Sequence, residues 1–153
     1  MKEDQVKVKV RRLSSDFNDI PLPSYATPGS SGLDIRAAVF QDVILKPGNF
    51  ALVPTNLSVE IPEGFEIEVR PRSGLAAKFG IGVLNSPGTI DSDYRGEIKI
   101  ILFNFGKDDF KISRGERIAQ MVVSKVYSAE LVVTNNLHES QRGSGGFGHT
   151  GKI

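Results

Sequence analysis

Phe50-Ala-Leu-Val-Pro-Thr-Asn-Leu-Ser-Val-Glu-Ile61, together with Phe65-Glu-Ile-Glu-Val69, largely alternates apolar and polar residues. Alternation with a period of two is typical of strands that are buried on one face. Pro54 interrupts the first stretch, and since proline cannot donate a ladder hydrogen bond, we expect a sheet edge or a bulge there. These stretches therefore predict a chain built mainly from strands.

Turn sequences recur at short intervals along the rest of the chain: Pro47-Gly48, Pro62-Glu-Gly64, Pro87-Gly88, Gly106-Lys-Asp-Asp109 and Arg114-Gly115. Many short strands separated by turns favour a sandwich or jelly-roll over a βαβ fold. We therefore predict an all-β fold, a distorted jelly-roll or β-sandwich-like barrel, with a single short helix.

That helix is predicted over residues 72–80, where Leu-Ala-Ala-Lys favours helix. Ser73 is the expected N-cap, and Gly80 suits the left-handed position that follows a helix. The first N–H groups of the helix would lie beside Arg72 and offer an anion site.

Composition limits the possible functions. The 153 residues suffice for one domain, and 39% apolar with 24% charged residues is typical of ordinary globular proteins. The net charge of +1 gives no field that would draw the chain to nucleic acid or to a membrane surface. The absence of cysteine excludes disulfides and thiol chemistry, and the N-terminus lacks the apolar core of a signal peptide. We therefore expect a cytoplasmic protein that binds neither nucleic acid nor membrane.

Residues 85–97, Asn-Ser-Pro-Gly-Thr-Ile-Asp-Ser-Asp-Tyr-Arg-Gly-Glu, carry the richest chemistry. Pro87-Gly88 predicts a sharp turn with positive φ at the glycine, at the tip of a strand pair formed by residues 81–84 and 98–103. Asp91, Tyr94 and Asn85 all lie at or close to that tip. Such a mixture suits a pocket for a small planar polar ligand beside a reactive bond, although turn capping and core packing are the simpler alternatives.

Basic residues form separate local groups, Arg70 with Arg72, Arg114 with Arg117, and Arg142. This spacing favours a small polyanion held from several sides. From about Leu137 the chain becomes rich in glycine, with Phe147 as an isolated aromatic residue. We predict a β-domain over residues 1–137 and a mobile tail over residues 138–153.

Five stretches together resemble the homotrimeric deoxyuridine triphosphatase (dUTPase) family. They are Ser31-Gly-Leu-Asp-Ile-Arg-Ala37, Pro71-Arg-Ser-Gly-Leu-Ala76, the stretch over residues 85–97, Arg114-Gly-Glu-Arg-Ile-Ala-Gln120, and Arg142-Gly-Ser-Gly-Gly-Phe-Gly-His-Thr-Gly151. The stretches occur in the family's order and span nearly the whole chain. The resemblance implies hydrolysis of dUTP to dUMP and pyrophosphate, which keeps uracil out of DNA and supplies dUMP for thymidylate synthesis.

The resemblance also implies roles for individual residues. Asp91 would be the general base that deprotonates the attacking water, and Asp34 would hold a Mg²⁺ ion indirectly, through water. Tyr94 would pack under the deoxyribose and leave no room for a 2′-hydroxyl. The substrate-binding set that the resemblance implies is Arg72, Ser73, Gly74, Asn85, Thr89, Ile90, Tyr94, Lys99, Arg117, Gln120, Arg142, Ser144, Phe147 and Gly148.

The assignments of Arg117 and Gln120 depend on the geometry of the strand that carries them. On a regular strand, positions 117 and 120 point to opposite faces, so a common role requires a bulge between them. Arg117 could equally be a structural ion-pair partner. The role of His149, where many relatives carry serine, stays open.

The tail would close over the nucleotide as a lid, with Phe147 stacking on the uracil. The resemblance further implies a homotrimer whose sites are shared between chains. Two other functions stay open: a dCTP deaminase of the same superfamily, with or without phosphate removal, and a non-catalytic nucleotide sensor or partner-binding module.

Overall fold

Short antiparallel strands make up most of the fold in the computed structural model, which describes residues 5–149. The strands are β1 (Lys9–Arg12), β2 (Ser24–Tyr25), β3 (Leu33–Arg36), β4 (Val43–Leu45), β5 (Phe50–Pro54), β6 (Leu57–Glu60), β7 (Phe65–Arg70), β8 (Ile81–Val83), β9 (Gly88–Ile90), β10 (Lys99–Asn104), β11 (Phe110–Ile112) and β12 (Arg117–Lys125). The described part of the chain has one α-helix, α1 (Ser73–Phe79), and one 3₁₀ turn, Ser15–Phe17. The predicted all-β class is confirmed.

The strands form two main sheets that share a core. The larger sheet has the order β2-β3-β12-β7-β9, and the smaller has the order β5-β10-β8. Two strand pairs, β1-β6 and β11-β4, complete the distorted jelly-roll. One continuous cluster of buried residues fills the interior and includes Ile35 and Ile67 from the larger sheet and Ile100 and Leu102 from the smaller.

The smaller sheet is apolar on both faces. Ile100 and Leu102 of β10 point into the core, while Ile101 and Phe103 alternate with them on the outer face. The cross-strand neighbours of these outer residues are also apolar, since Leu52 pairs with Ile101 and Phe50 pairs with Phe103. The outer face of this sheet is therefore an exposed apolar surface.

The predicted strand over residues 50–61 is divided at Pro54. Strand β5 ends there, at the edge of the smaller sheet, as the proline predicted. Asn56 follows with a φ of 59°, and β6 then pairs with β1 in a different sheet. This left-handed residue turns the chain from one sheet to another.

Two local predictions are wrong. Ser73 is the first helical residue of α1, and Arg72 occupies the N-cap position without a side-chain capping bond. Gly88 does not form the left-handed corner of a turn, because it is the first residue of β9. Gly80, in contrast, has the predicted left-handed conformation, with a φ of 68°.

Residues 126–149 contain no helix or strand, although turns occur at residues 141–144 and 147–149. The side chains of Leu131, Val132, Val133, Leu137 and Phe147 are all strongly exposed. The end of the predicted lid, residues 150–153, lies outside the described residues. No helix within residues 5–149 is long and apolar enough to cross a bilayer.

Candidate active site

A cleft of about 370 Å³ lies where the two main sheets approach each other. Its volume is within the range of small-molecule sites, roughly 300–1,000 Å³. Residues on its walls include six from the predicted set: Asn85, Thr89, Ile90, Asp91, Tyr94 and Lys99. The structure therefore brings these six predicted residues, with Asp91 among them, into one concave site.

Strand β9 forms one wall of the cleft. The predicted pairing of β8 with β10 is present, but the chain between them leaves the smaller sheet, and β9 pairs with β7 at the edge of the larger sheet. An edge strand presents unpaired backbone N–H and C=O groups on its free side. The segment over residues 85–97 thus bridges both sheets instead of forming a simple hairpin tip.

Glycine at position 88 permits the close approach of Asn85. A Cβ atom on Gly88 would lie 3.2 Å from Nδ2 of Asn85, closer than most Cβ contacts, and 3.4 Å from Cβ of Val69. Glycine at this position therefore eases the packing of Asn85, and no positive φ requires it.

Asp91 and Tyr94 lie on the tight turn that follows β9. The backbone N–H of Tyr94 donates to the carbonyl of Asp91 at 3.1 Å, which closes the turn. The Tyr94 hydroxyl donates to the backbone carbonyl of Glu97 at 2.9 Å, and its ring lies so close over Gly96 that a side chain there would clash. Both Asp91 and Tyr94 are exposed and can reach a ligand.

A second group of predicted residues is organised around Asp34. Its Oδ1 accepts a hydrogen bond from Nε of Arg72, and its Oδ2 accepts one from a terminal nitrogen of Arg117, both at 2.9 Å. A terminal nitrogen of Arg72 also donates to the carbonyl of Arg117 at 3.2 Å. The Asp34 side chain is only 16% exposed. One largely buried carboxylate therefore binds both guanidinium groups near the protein surface.

The bulge required between positions 117 and 120 is present. The register of β12 against β3 shifts between Arg117 and Ala119, after which Gln120 pairs with Asp34. Directly paired residues share one face of a sheet, so Asp34 and Gln120 lie on the same side. The Gln120 amide donates to the carbonyl of Pro71 at 2.9 Å, just before α1.

Gly32 completes the environment of Gln120. A Cβ atom on Gly32 would overlap Oε1 of Gln120, so a larger residue would displace the amide. Gln120 therefore supports the start of α1, where Ser73 and Gly74 are exposed.

The two groups line different clefts of the same chain. Arg72 and Arg117 lie on a second cleft of about 690 Å³, which includes neither Asp91 nor Tyr94. Strands β7 and β12 separate β9 from β3, so three inter-strand spacings, about 14 Å, lie between Thr89 and Asp34. One chain therefore does not assemble all predicted residues in a single cleft.

The predicted tail residues remain apart from both clefts. Within residues 138–149, the side-chain hydrogen bonds stay inside the tail, from Arg142 to the carbonyl of Gly145 and from the N–H of Gly143 to Ser140. Phe147 is fully exposed, and Gly148 has a positive φ of 85°. Ser144 has no contact with Asp91 or Arg72 among these bonds, so the structure does not bring the tail to the site.

Arg114 is held by acidic residues near the N-terminus. It forms a bidentate pair with Asp19, donates to the carbonyl of Asp16 and lies 4.4 Å from the centre of the Phe17 ring. The hydrogen bonds from Arg114 lower the pKa of Asp19 below its ordinary value, and Asp19 raises the pKa of Arg114. Arg114 therefore ties the N-terminal segment to the turn before β12.

Sequence reasoning did not assign a role to Glu97, which lines the cleft, or to Asn56, which donates its backbone N–H to Glu97 from behind it. Glu97 was visible only as the last residue of the segment over residues 85–97. Asn56 offered no signal except its place shortly after Pro54, because its partners are distant in sequence.

Comparisons with known proteins agree with this geometry. A family model for dUTPase matches residues 18–151. The chain is 59% identical over 133 residues to the deoxyuridine 5′-triphosphate nucleotidohydrolase of Neorickettsia sennetsu, which covers 87% of this chain and 89% of that protein. It is 60% identical over 131 residues to the enzyme of the same name from Chlamydia pneumoniae, covering 85% and 90%. Among solved structures, a dUTPase of Staphylococcus bacteriophage 80alpha with dUpNHpp has a TM-score of 0.79 at 27% identity, covering 95% of this chain and 98% of that chain.

Proposed function

Since the chain belongs to the dUTPase family, we propose that it is an enzyme that hydrolyses dUTP to dUMP and pyrophosphate. The observation that carries the proposal is the cleft in which Asp91 and Tyr94 meet the free edge of β9. The fixed backbone donors and acceptors along the free edge of β9 suit the polar edge of a planar base. The carboxylate of Asp91, directly after this strand, suits a water molecule held beside the α-phosphate.

Base selection in this proposal depends on backbone groups at Thr89 and Ile90 and on the Asn85 amide. Fixed donors and acceptors discriminate strongly, because a mismatched base leaves buried polar groups unpaired, with ratios of about 10⁴–10⁵ in sites of this kind. Tyr94 packs under the sugar and excludes a ribose hydroxyl. Lys99, which lies 3.7 Å from Glu97, is a further substrate contact.

The reaction is attack by water on the α-phosphorus. A new P–O bond forms, the bond from the α-phosphorus to the bridging oxygen breaks, and pyrophosphate leaves. The proton lost by the water passes to the Asp91 carboxylate. A carboxylate is a weak base, so most of the acceleration comes from alignment and from fixed positive charge.

Phosphate binding is assigned to Arg72, Arg117 and the start of α1. The two guanidinium groups carry one positive charge in excess of Asp34. Charge-assisted hydrogen bonds to phosphate contribute about 1.5–3 kcal/mol each. Ser73 and Gly74 add N–H groups that have no partner within the helix, because the first turn of any helix leaves them free.

The remaining lone pairs of Asp34 fit a hydrated Mg²⁺ ion. Each of its oxygens accepts one guanidinium bond, which leaves capacity for water. Within residues 5–149 no group of three or more His, Cys, Asp or Glu residues could form a protein cage for a metal. Mg²⁺ characteristically keeps several waters and binds substrate phosphates, whose charge it would neutralise.

The separation of the two clefts supports a homotrimer with shared sites. Because Asp91 and Arg72 lie on different clefts of one chain, a neighbouring chain is needed to supply phosphate ligands beside Asp91. The exposed apolar face formed by Phe50, Leu52, Ile101, Phe103 and Phe105 adjoins the cleft, since Leu52 and Ile101 also line it. We propose that a second copy of the chain covers this face.

The tail supplies the lid in this arrangement. Arg142 and Ser144 bind phosphate oxygens, Phe147 stacks on the base, and Gly148 permits the backbone to fold closely over the nucleotide. The full exposure of Phe147 agrees with a residue whose partner is the ligand. In the cell, the reaction would keep uracil out of DNA and supply dUMP, and we place it in the cytoplasm.

One assay tests the proposed function. Pyrophosphate and ammonia release are measured with dUTP, dCTP, dTTP and UTP, each with Mg²⁺ and with EDTA. We expect pyrophosphate from dUTP alone, with turnover strongly reduced by EDTA. Ammonia from dCTP would support the deaminase instead, and tight dUTP binding without any product would support a sensor.

A further inference from the structure

Asn56 is a buried junction behind the active-site cleft. It lies between β5 and β6, is only 5% exposed and has a φ of 59°, an unusual conformation for a residue other than glycine. Its side chain accepts a hydrogen bond from the N–H of Ser14 at 2.8 Å and donates to the Ser14 carbonyl at 2.9 Å. Its carbonyl accepts from the N–H of Leu13 at 3.0 Å.

The remaining polar group of Asn56 points toward the cleft. Its backbone N–H donates to Oε1 of Glu97 at 3.0 Å. All four polar groups of Asn56 are therefore satisfied, three by the N-terminal segment and one by Glu97. This junction is a fixed point in the fold, because displacing it would break several partly buried hydrogen bonds together.

Glu97 connects this fixed point to the cleft wall. Its side chain is 23% exposed and lines the cleft, and its backbone carbonyl accepts the hydrogen bond from the Tyr94 hydroxyl. The backbone of the next residue, Ile98, makes two hydrogen bonds. Its N–H donates to the carbonyl of Leu57, and its carbonyl accepts from the hydroxyl of Thr55. The turn that carries Asp91 and Tyr94 is therefore anchored at its end through Glu97.

We infer that Glu97 is a positioning residue, which fixes Tyr94 against the sugar and thereby sets the preference for deoxyribose over ribose. The inference rests on the proposed function, because it assigns Tyr94 to the sugar. Oε1 of Glu97 is directed at the Asn56 N–H, so its part in the reaction is exerted through Tyr94. Oε1 carries this role as the acceptor from Asn56, while the other oxygen, Oε2, lies 3.7 Å from Nζ of Lys99.

The choice of substitutions separates the acceptor from the charge. Glu97→Gln keeps an oxygen that can accept from Asn56 and removes the charge, whereas Glu97→Met fills similar space and removes both. Glu60→Met is the matched control, because Glu60 is an exposed carboxylate on β6 that pairs with Lys9 away from the cleft.

The experiment measures kcat and KM for dUTP and UTP with the full chain, together with thermal unfolding. We expect Glu97→Met to lose roughly 10- to 100-fold in kcat/KM for dUTP, since small displacements of positioning groups have effects of this size. We also expect its ratio of dUTP to UTP turnover to fall. Glu97→Gln and Glu60→Met should keep both values close to those of the unsubstituted chain.

Equal losses in Glu97→Gln and Glu97→Met would overturn the inference, because the charge would then be the essential property. An unchanged substrate ratio in a folded Glu97→Met would overturn it as well. Should Glu97→Met fail to fold, Tyr94→Phe removes the hydroxyl bond to Glu97 at an exposed position. A fall in the dUTP-to-UTP ratio of Tyr94→Phe supports the inference, and an unchanged ratio contradicts it.

Amide hydrogen exchange distinguishes this inference from the proposed function. Exchange at the Asn56 amide and over residues 94–98 should accelerate in Glu97→Met and stay slow in Glu97→Gln, whatever the enzyme hydrolyses. If the unsubstituted chain released no pyrophosphate from dUTP, the proposed function would fail while the anchoring by Glu97 was still tested. Slow exchange at Asn56 in Glu97→Met would refute the anchoring itself.

Discussion

Nε of Arg72 donates a hydrogen bond to Oδ1 of Asp34 at 2.9 Å, although the two residues are 38 positions apart in sequence. The other oxygen of the same carboxylate holds Arg117. Two guanidinium groups close together would repel each other without this carboxylate, so Asp34 determines where the positive charge of the phosphate site lies.

Replacing Asp34 by alanine should weaken triphosphate binding. We expect the Kd of dUpNHpp to rise roughly tenfold, about the loss of one charge-assisted hydrogen bond, because Arg72 and Arg117 are no longer oriented. The Kd of dUMP should change little. Isothermal titration with and without Mg²⁺ measures both constants, and Asp42→Ala, which removes an exposed partner of Lys111, is the control. A loss that disappeared in EDTA would assign Asp34 to the metal alone.

Replacing Asp91 by asparagine should abolish turnover without abolishing binding. A general base contributes about 10²–10⁴ in rate, and the amide cannot accept the proton. Single-turnover kinetics measure the loss, and titration with dUpNHpp measures binding. Asp93→Asn is a close control, since Asp93 is exposed on the same turn and does not line the cleft. Near-normal turnover in Asp91→Asn would exclude Asp91 as the base.

Removing the tail after Arg142, or replacing Phe147 by alanine, should reduce kcat/KM and leave thermal stability unchanged. The Phe147 side chain is fully exposed, so its removal uncovers no core. Phe147→Trp, which keeps a stacking surface, should retain most of the activity. If the truncated chain hydrolysed dUTP at the normal rate, the tail would have no function as a lid.

Introducing charge on the outer face of the smaller sheet should dissociate the assembly. Leu52→Lys places a cation on the apolar face, where burial in an interface would be costly. Ile44→Lys on β4 is the control, because Ile44 is 52% exposed and Leu52 is 56% exposed. Sedimentation should give a trimer for the unsubstituted chain and for Ile44→Lys, and smaller species for Leu52→Lys. An active monomer of the unsubstituted chain would contradict the shared site.

The pair between Asp19 and Arg114 should make stability depend on acid pH. The hydrogen bond from Arg114 lowers the pKa of Asp19 below 3.8. The Asp19 carboxylate therefore binds a proton less readily in the folded state than in the unfolded state. The contribution of the pair is therefore present above pH 3.8 and is lost as the pH falls through the lowered pKa. Thermal unfolding of Asp19→Asn should lie below that of the unsubstituted chain near neutral pH and converge with it in acid. A constant difference across this range would contradict the assignment.

The strand pattern, the short helix and its terminating Gly80 were predictable because they depend on local chemistry. Alternation over residues 65–69 reports burial on one face, and glycine at position 80 is favoured wherever the backbone must be left-handed. The path of residues 85–97 was not predictable in the same way. Gly88 looked like a turn residue, but it lies in β9, where its lack of a side chain leaves room for Asn85.

The sequence by itself determined the all-β class, the family and six of the residues that line the cleft, because strand periodicity and short motifs are properties of neighbouring positions. Only the tertiary structure decided that Asp34 holds Arg72 and Arg117, that Glu97 rests on Asn56, and that Asp91 and Arg72 lie on separate clefts. These relationships join positions tens of residues apart. They follow from strand order and register, which the packing of the whole chain sets and no local pattern encodes.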